Sequence, residues 1–137
     1  MAYLANHDGR RVLINEVAQS MAIPKAFLSK IMKELVGAEL VKSQVGPGGG
    51  YELARAASDI TFQHILEVVE GQWTLVPCQG DSGGDTCQMH TSCSQVGVWD
   101  EIRGEMLKIL ASYNLEQVKS RGFGDLSALV QISGAAG

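Results

Sequence analysis

The 137-residue sequence has only three cysteines, Cys78, Cys87 and Cys93, and none lies outside one short stretch. An odd, clustered set excludes the disulfide framework of a small secreted domain, which distributes an even number along the chain. In a reducing compartment such a group of thiols points first to a metal site. Long hydrophobic runs are also missing; none approaches the roughly 18 apolar residues that a membrane-spanning helix needs. The first residues, Met1 to Asp8, lack the basic flank and apolar centre of a secretory signal. A soluble, cytoplasmic protein with no membrane partner is expected. Paired carboxylates in a motif, a nucleophile–base arrangement and a cofactor fingerprint are all absent, so an enzyme is not expected. The glycines at 46–50 are not followed by Gly-Lys-Ser/Thr, which sets them apart from a nucleotide-binding loop.

An apolar share of 45% is enough for one domain with a real core. The net charge of -4 is unevenly spread. Residues 1–55 hold seven cations against five acids, and the remainder four cations against ten acids. A basic head on an acidic body fits that asymmetry.

Residues 1–7 resemble the tail of a helix. Ile14, Val17, Ala18 and Met21 recur at i, i+3, i+4 and i+7, the stripe of a short helix. Ala22-Ile23-Pro24 then makes a turn, with Pro24 suited to the first position of a second helix over 24–36. Phe27, Leu28, Ile31, Met32, Leu35 and Val36 form its apolar face, and Gly37 is its expected stop. Strand residues 39–45, the turn Gly46-Pro-Gly-Gly-Gly50 and strand residues 51–54 make a hairpin. Two helices at a tight turn followed by a hairpin is a winged helix-turn-helix. A further helix over 62–70 has Asp59-Ile-Thr61 as caps, Ile65, Leu66 and Val69 inward, and Gly71 as its stop. A loop spans 77–95. A long helix follows from about Val96 to Tyr113, with Trp99, Ile102, Met106, Ile109 and Tyr113 as an a/d seam. That seam is either a dimer contact or intramolecular core. Asn114 and Gln117 resemble a capping box for one more short helix.

In this fold the second helix enters the major groove by its first residues. Lys25, Ala26, Phe27, Ser29, Lys30 and Lys33 are therefore the candidate readers; the lysines can reach phosphates and Ser29 a base edge or a phosphate. The bland alternative is a solvated lysine face. In the wing, Gly46, Pro47, Gly48 and Gly49 allow close approach of backbone N–H groups to a phosphate, or else form a flexible tip.

The stretches Ile23 to Leu35, Gly46 to Tyr51 and Asp59 to Gly71, with three cysteines following, resemble the Rrf family of bacterial regulators over about residues 1–118. The resemblance implies a homodimeric transcription regulator of double-stranded DNA, mainly α with a small β-hairpin, ending in a long dimerisation helix. It implies an iron–sulfur cluster, [2Fe–2S] or [4Fe–4S], held by Cys78, Cys87 and Cys93. Relatives carry some fifteen or more residues before the point matching Met1, so the chain is expected to start inside its first helix. Many place an arginine where Val45 stands, and some a histidine ligand where Val96 stands. His90 and Asp85 are low-ranking candidates for a fourth ligand, and zinc on the three cysteines with His90 is a minor alternative. Four regions are expected: a reading head over 1–71, a cysteine loop over 72–95, a dimerisation helix with its short successor over 96–118, and a disordered tail over 119–137. The signal is iron, nitric oxide or redox state; a cluster-free regulator responding to thiol oxidation or a small ligand is the alternative.

Overall fold

The computed structural model describes residues 1–79 and 87–121. Candidate ligand Asp85 and tail residues 122–137 lie outside the described residues. The helices are α1 (Ala2–Asn6), α2 (Ile14–Ser20), α3 (Lys25–Gly37), α4 (Phe62–Glu70), α5 (Val96–Ser112) and α6 (Leu115–Arg121). A hairpin of β1 (Val41–Gln44) and β2 (Gly50–Leu53) separates α3 from α4. The fold is mainly helical with one antiparallel hairpin, as the winged helix-turn-helix pattern requires.

The core gathers Leu4 and Ala5 from α1, Val17 from α2, Leu28, Met32 and Leu35 from α3, and Ile60 and Leu115 from the later segments. Leu35, Ile60 and Leu115 are each at most 2% exposed, and burying such a side chain contributes about 1.5–3 kcal/mol. The first segment is thus part of the core: α1 packs on β2 and on α6. Helix α6 returns to the reading head, where Leu115 N–H donates to Ile60 O at 3.0 Å. Phe62 N–H likewise donates to Tyr113 O at 3.0 Å. Asn114 N–H to Gln117 Oε1 (2.8 Å) and Gln117 N–H to Asn114 Oδ1 (3.1 Å) form the expected capping box.

The turn between α2 and α3 is built on Ala22, at φ 51. Ile23 N–H donates to Ala18 O and Ala22 N–H to Gln19 O, which satisfies the last carbonyls of α2 in a Schellman arrangement. Pro24 sits just outside α3 as its N-cap, with ψ 128. The end of α3 differs from expectation. Gly37 is its last helical residue, and the left-handed position falls on Glu39, at φ 56. Leu40 N–H donates to Leu35 O and Glu39 N–H to Val36 O, both at 3.0 Å. Burial of Leu40 secures this ending, since a hydrophobic residue after the left-handed position commonly packs back on the helix. That outweighs the roughly 1–2 kcal/mol a non-glycine residue costs in this conformation.

Two further positions depart from the expected faces. Phe27 leaves the apolar face of α3 and is 58% exposed. In α4, Ile65 and Val68 pack against the core, whereas Val69 turns outward. Thr61 caps α4: its hydroxyl accepts from His64 N–H while His64 Nδ1 accepts from Thr61 N–H. Gly71, at φ 71, ends the helix as expected.

Candidate nucleic-acid interface and cysteine loop

The hairpin register pairs Val41 with Leu53, Lys42 with Glu52, Ser43 with Tyr51 and Gln44 with Gly50. Val12 bridges to the other edge of β2, exchanging N–H···O bonds of 2.9 Å with Tyr51 in both directions. The wing is therefore fixed at its root to the segment before α2. Two glycines are sterically required there. A Cβ on Gly49 would meet Gln44 O at 2.3 Å, and one on Gly50, at φ 141, would meet Val12 O at 2.9 Å.

At the tip, Gly49 N–H donates to Gly46 O at 2.9 Å. With Pro47 second and Gly48 third at φ 73, this is the signature of a type II turn. The Gly49 N–H is consequently engaged within the turn. Gly46, Pro47 and Gly48 are exposed, as is Val45 beside them at 96%.

On α3, Lys25, Ala26, Phe27, Lys30 and Lys33 all face solvent, whereas Leu28, Met32 and Leu35 hold the opposite side in the core. Ser29 is half-buried, and its hydroxyl donates to Lys25 O at 2.9 Å. Its oxygen keeps acceptor capacity, but its proton goes to the backbone.

Arg10 and Arg11 behave differently despite being adjacent. Arg10 forms a close two-nitrogen ion pair with Glu16, which also accepts from Tyr3 Oη at 3.0 Å. The Arg10 hydrogen bond, helped by Tyr3, holds the Glu16 carboxyl down from 4.5 to about 2. A lowered carboxyl pKa adds stability above the unfolded-state value and loses it as pH falls through the folded one. The melting-temperature difference between wild type and Glu16→Gln should thus be largest near neutral pH. It should close between pH 4.5 and about 2; a constant difference across that window would show that the ion pair does not matter.

Arg11 Nε lies 3.5 Å from Glu52 Oε2, and Arg11 Nη1 donates to Gly48 O at 3.5 Å. Both residues line an open polar cleft of about 590 Å³ with Gly46, Gly48 and Gly49. Sequence reasoning missed Arg11; its only signal was the basic pair ahead of α2.

Cys78, Cys87 and Cys93 are free and half-buried. Among the described residues, no three His, Cys, Asp or Glu side chains converge as a metal-binding group. The donor set itself, three thiols in one loop region, is chemically suited to an iron–sulfur cluster. His90 opens a 3₁₀ turn, His90–Ser92, and its N–H donates to Cys87 O at 3.0 Å. Next to Cys78, Gln79 is buried, accepting from Leu75 N–H (2.8 Å) and donating to Asp100 Oδ1 (3.2 Å) on α5. Arg103 Nε, also on α5, donates to Trp73 O at 2.6 Å. The segment before Cys78 is thus latched to the long helix, a link invisible in the sequence beyond Gln79's adjacency to a cysteine.

Of the a/d seam of α5, Ile102, Met106, Ile109 and Tyr113 are exposed, Ile109 at 58%, and Trp99 is half-buried. The seam adjoins an apolar recess of about 320 Å³ lined by Phe62, Ile109, Leu110, Tyr113 and Val118. Among the described residues, no helix is long and apolar enough to cross a membrane.

Residues 1–121 match the family described as Rrf2, Iron-dependent Transcriptional regulator. An rrf2-like HTH-type transcriptional regulator of Rhodobacter capsulatus is 30% identical over 122 residues, covering 86% of this chain and 81% of that protein. The solved structure of CymR, the global cysteine regulator of B. subtilis, is similar with a TM-score of 0.70 and 27% identity, covering 89% of this chain and 88% of that one. T. potens IscR is similar with a TM-score of 0.69 and 27% identity, covering 88% and 79%. The exposed second helix, the glycine wing and these likenesses agree: the chain belongs to the Rrf2 family of transcriptional regulators.

Proposed function

We propose that the protein is a homodimeric regulator whose grip on double-stranded DNA is set by an iron–sulfur cluster on Cys78, Cys87 and Cys93. The observation that carries the DNA reading is the α3 face, where Lys25, Lys30 and Lys33 stand exposed beside Ala26 and Phe27. The lysines neutralise phosphates, and Phe27 offers an apolar contact of the kind that suits a thymine methyl. Gly46, Pro47, Gly48 and Gly49 follow the backbone from the wing. The exposed seam of α5 pairs with its copy, so that two α3 helices read half-sites about 34 Å apart.

Support for the cluster comes from the family's iron dependence and from three thiols with no disulfide partner. When bound, such a cluster supplies an iron centre that responds to iron supply, nitric oxide or redox state. Cys78, Cys87 and Cys93 hold it by their thiolates. The chain's own part is transmission. Gln79 ties the residue after Cys78 to Asp100, and Cys93 lies three residues before α5. Gathering the cysteines moves the start of the helix that sets the spacing of the two reading heads. Allosteric couplings of this type are typically about 1–3 kcal/mol.

A second reading drops the cluster and makes thiol oxidation the signal. It is favoured by three thiols that are free and by likeness to a cysteine regulator. Anaerobic purification separates the two: a coloured, iron-containing protein supports the cluster, and a colourless one whose DNA binding responds to peroxide supports oxidation.

DNA binding itself is tested by salt titration on duplexes that the wild-type protein selects from a random-sequence pool. Lys30→Gln and Lys33→Gln should each lower the slope of log affinity against log salt by about one per subunit, or about two for the dimer. Lys108→Gln, on α5 and paired with Glu105, should leave it unchanged. Equal slopes in all three would refute the α3 interface.

A further inference from the structure

The wing loop carries no cation between Gln44 and Glu52. A neutral glycine loop gains little from approaching phosphate unless charge is supplied beside it. The guanidinium that reaches the wing tip is that of Arg11, brought there by the bridge between Val12 and Tyr51. Its Nη1 meets Gly48 O at the tip, and its Nε meets Glu52 on β2. Both contacts are long at 3.5 Å, Nη2 takes part in neither, and the side chain is 38% exposed. Arg10, by contrast, is paired with Glu16 through both terminal nitrogens. Gly46, Gly48 and Gly49 form the wing side of the cleft that Arg11 lines, with Arg10, Leu13, Glu16 and Glu52 also on its walls.

We propose that Arg11 is the wing's missing cation: a DNA-contacting residue, borrowed from the segment before α2, that binds a backbone phosphate alongside Gly48. Glu52 holds it in line with the wing while no DNA is present, and DNA displaces that long contact. Arginine suits this position because its planar fork can keep the Gly48 carbonyl on one nitrogen and take a phosphate oxygen on another. The inference rests on the DNA-binding reading and deepens it.

The test is a salt titration of wild type, Arg11→Gln, Arg11→Lys and Glu52→Gln on the same pool-selected duplexes. Arg11→Gln should lower the slope of log affinity against log salt by about one for each Arg11 engaged. Arg11→Lys should restore the slope, since charge rather than shape sets it. Glu52→Gln should tighten binding several-fold, because the guanidinium is released and a carboxylate is removed. Melting temperatures show whether each variant is folded before its slope is compared. If wild type binds with a salt slope that Arg11→Gln does not change, the inference fails while the DNA reading stands. If Glu52→Gln weakens binding as much as Arg11→Gln, Arg11 is only a staple for the hairpin, and the inference again fails. If wild type shows no salt-dependent binding to any duplex, the DNA reading itself fails.

Discussion

Replacing Cys78, Cys87 or Cys93 by alanine removes the visible absorption and bound iron of the anaerobically purified protein, and with them the iron dependence of DNA binding. Each thiol is half-buried and free, so its loss leaves the core of α1 to α4 intact and the melting temperature of the iron-free protein nearly unchanged. The effect on regulation is large. A coupling of about 1–3 kcal/mol corresponds to a 5–150-fold difference in DNA affinity between iron-loaded and iron-stripped protein, and that ratio should fall to one. Gln79→Ala separates holding from transmitting. It breaks the bonds to Leu75 and Asp100 but touches no cysteine, so colour persists while the affinity ratio shrinks. Wild type that is colourless with stoichiometric zinc, or cysteine variants that keep full colour, would reject the cluster.

The second large effect concerns α5. Ile109→Glu should yield a monomer in sedimentation or light scattering, with operator affinity reduced about 10²–10⁴-fold. Two linked reading heads gain that factor over one, since the second contact is made within a complex already formed. Ile109 is 58% exposed in the single chain, so the charge is solvated in the monomer and the fold should persist. In the dimer it would be buried in the seam at a cost of several kcal/mol. An Ile109→Glu protein that remains a dimer would place the dimer contact elsewhere.

How much of this was legible in the sequence depends on the distance over which each signal acts. The stripes of α2 and α3, the glycine hairpin, the Gly71 stop and the Asn114–Gln117 box are set by residues within a few positions of one another. All were readable. The end of α3 was misplaced by two residues because Gly37 is the better left-handed residue locally. Burial of Leu40, a tertiary effect, moved the stop to Glu39. The same limit explains Val68 replacing Val69 on the inward face of α4. Phe27 looked like core by its periodicity alone, yet it stands on the reading face. Contacts across long separations left no mark. Arg11 meets Gly48 across 37 positions, and Gln79 meets Asp100 across 21. These two contacts tie the wing to its cation and the cysteine loop to the long helix.

The most direct test is to measure, under anaerobic conditions and at one fixed salt concentration, the affinity of iron-loaded and chelator-stripped protein for the same selected duplex. Tight binding in one form and binding 5–150-fold weaker in the other is the predicted result. Equal affinity in both forms would contradict control by the three cysteines, and no binding in either would contradict DNA recognition itself.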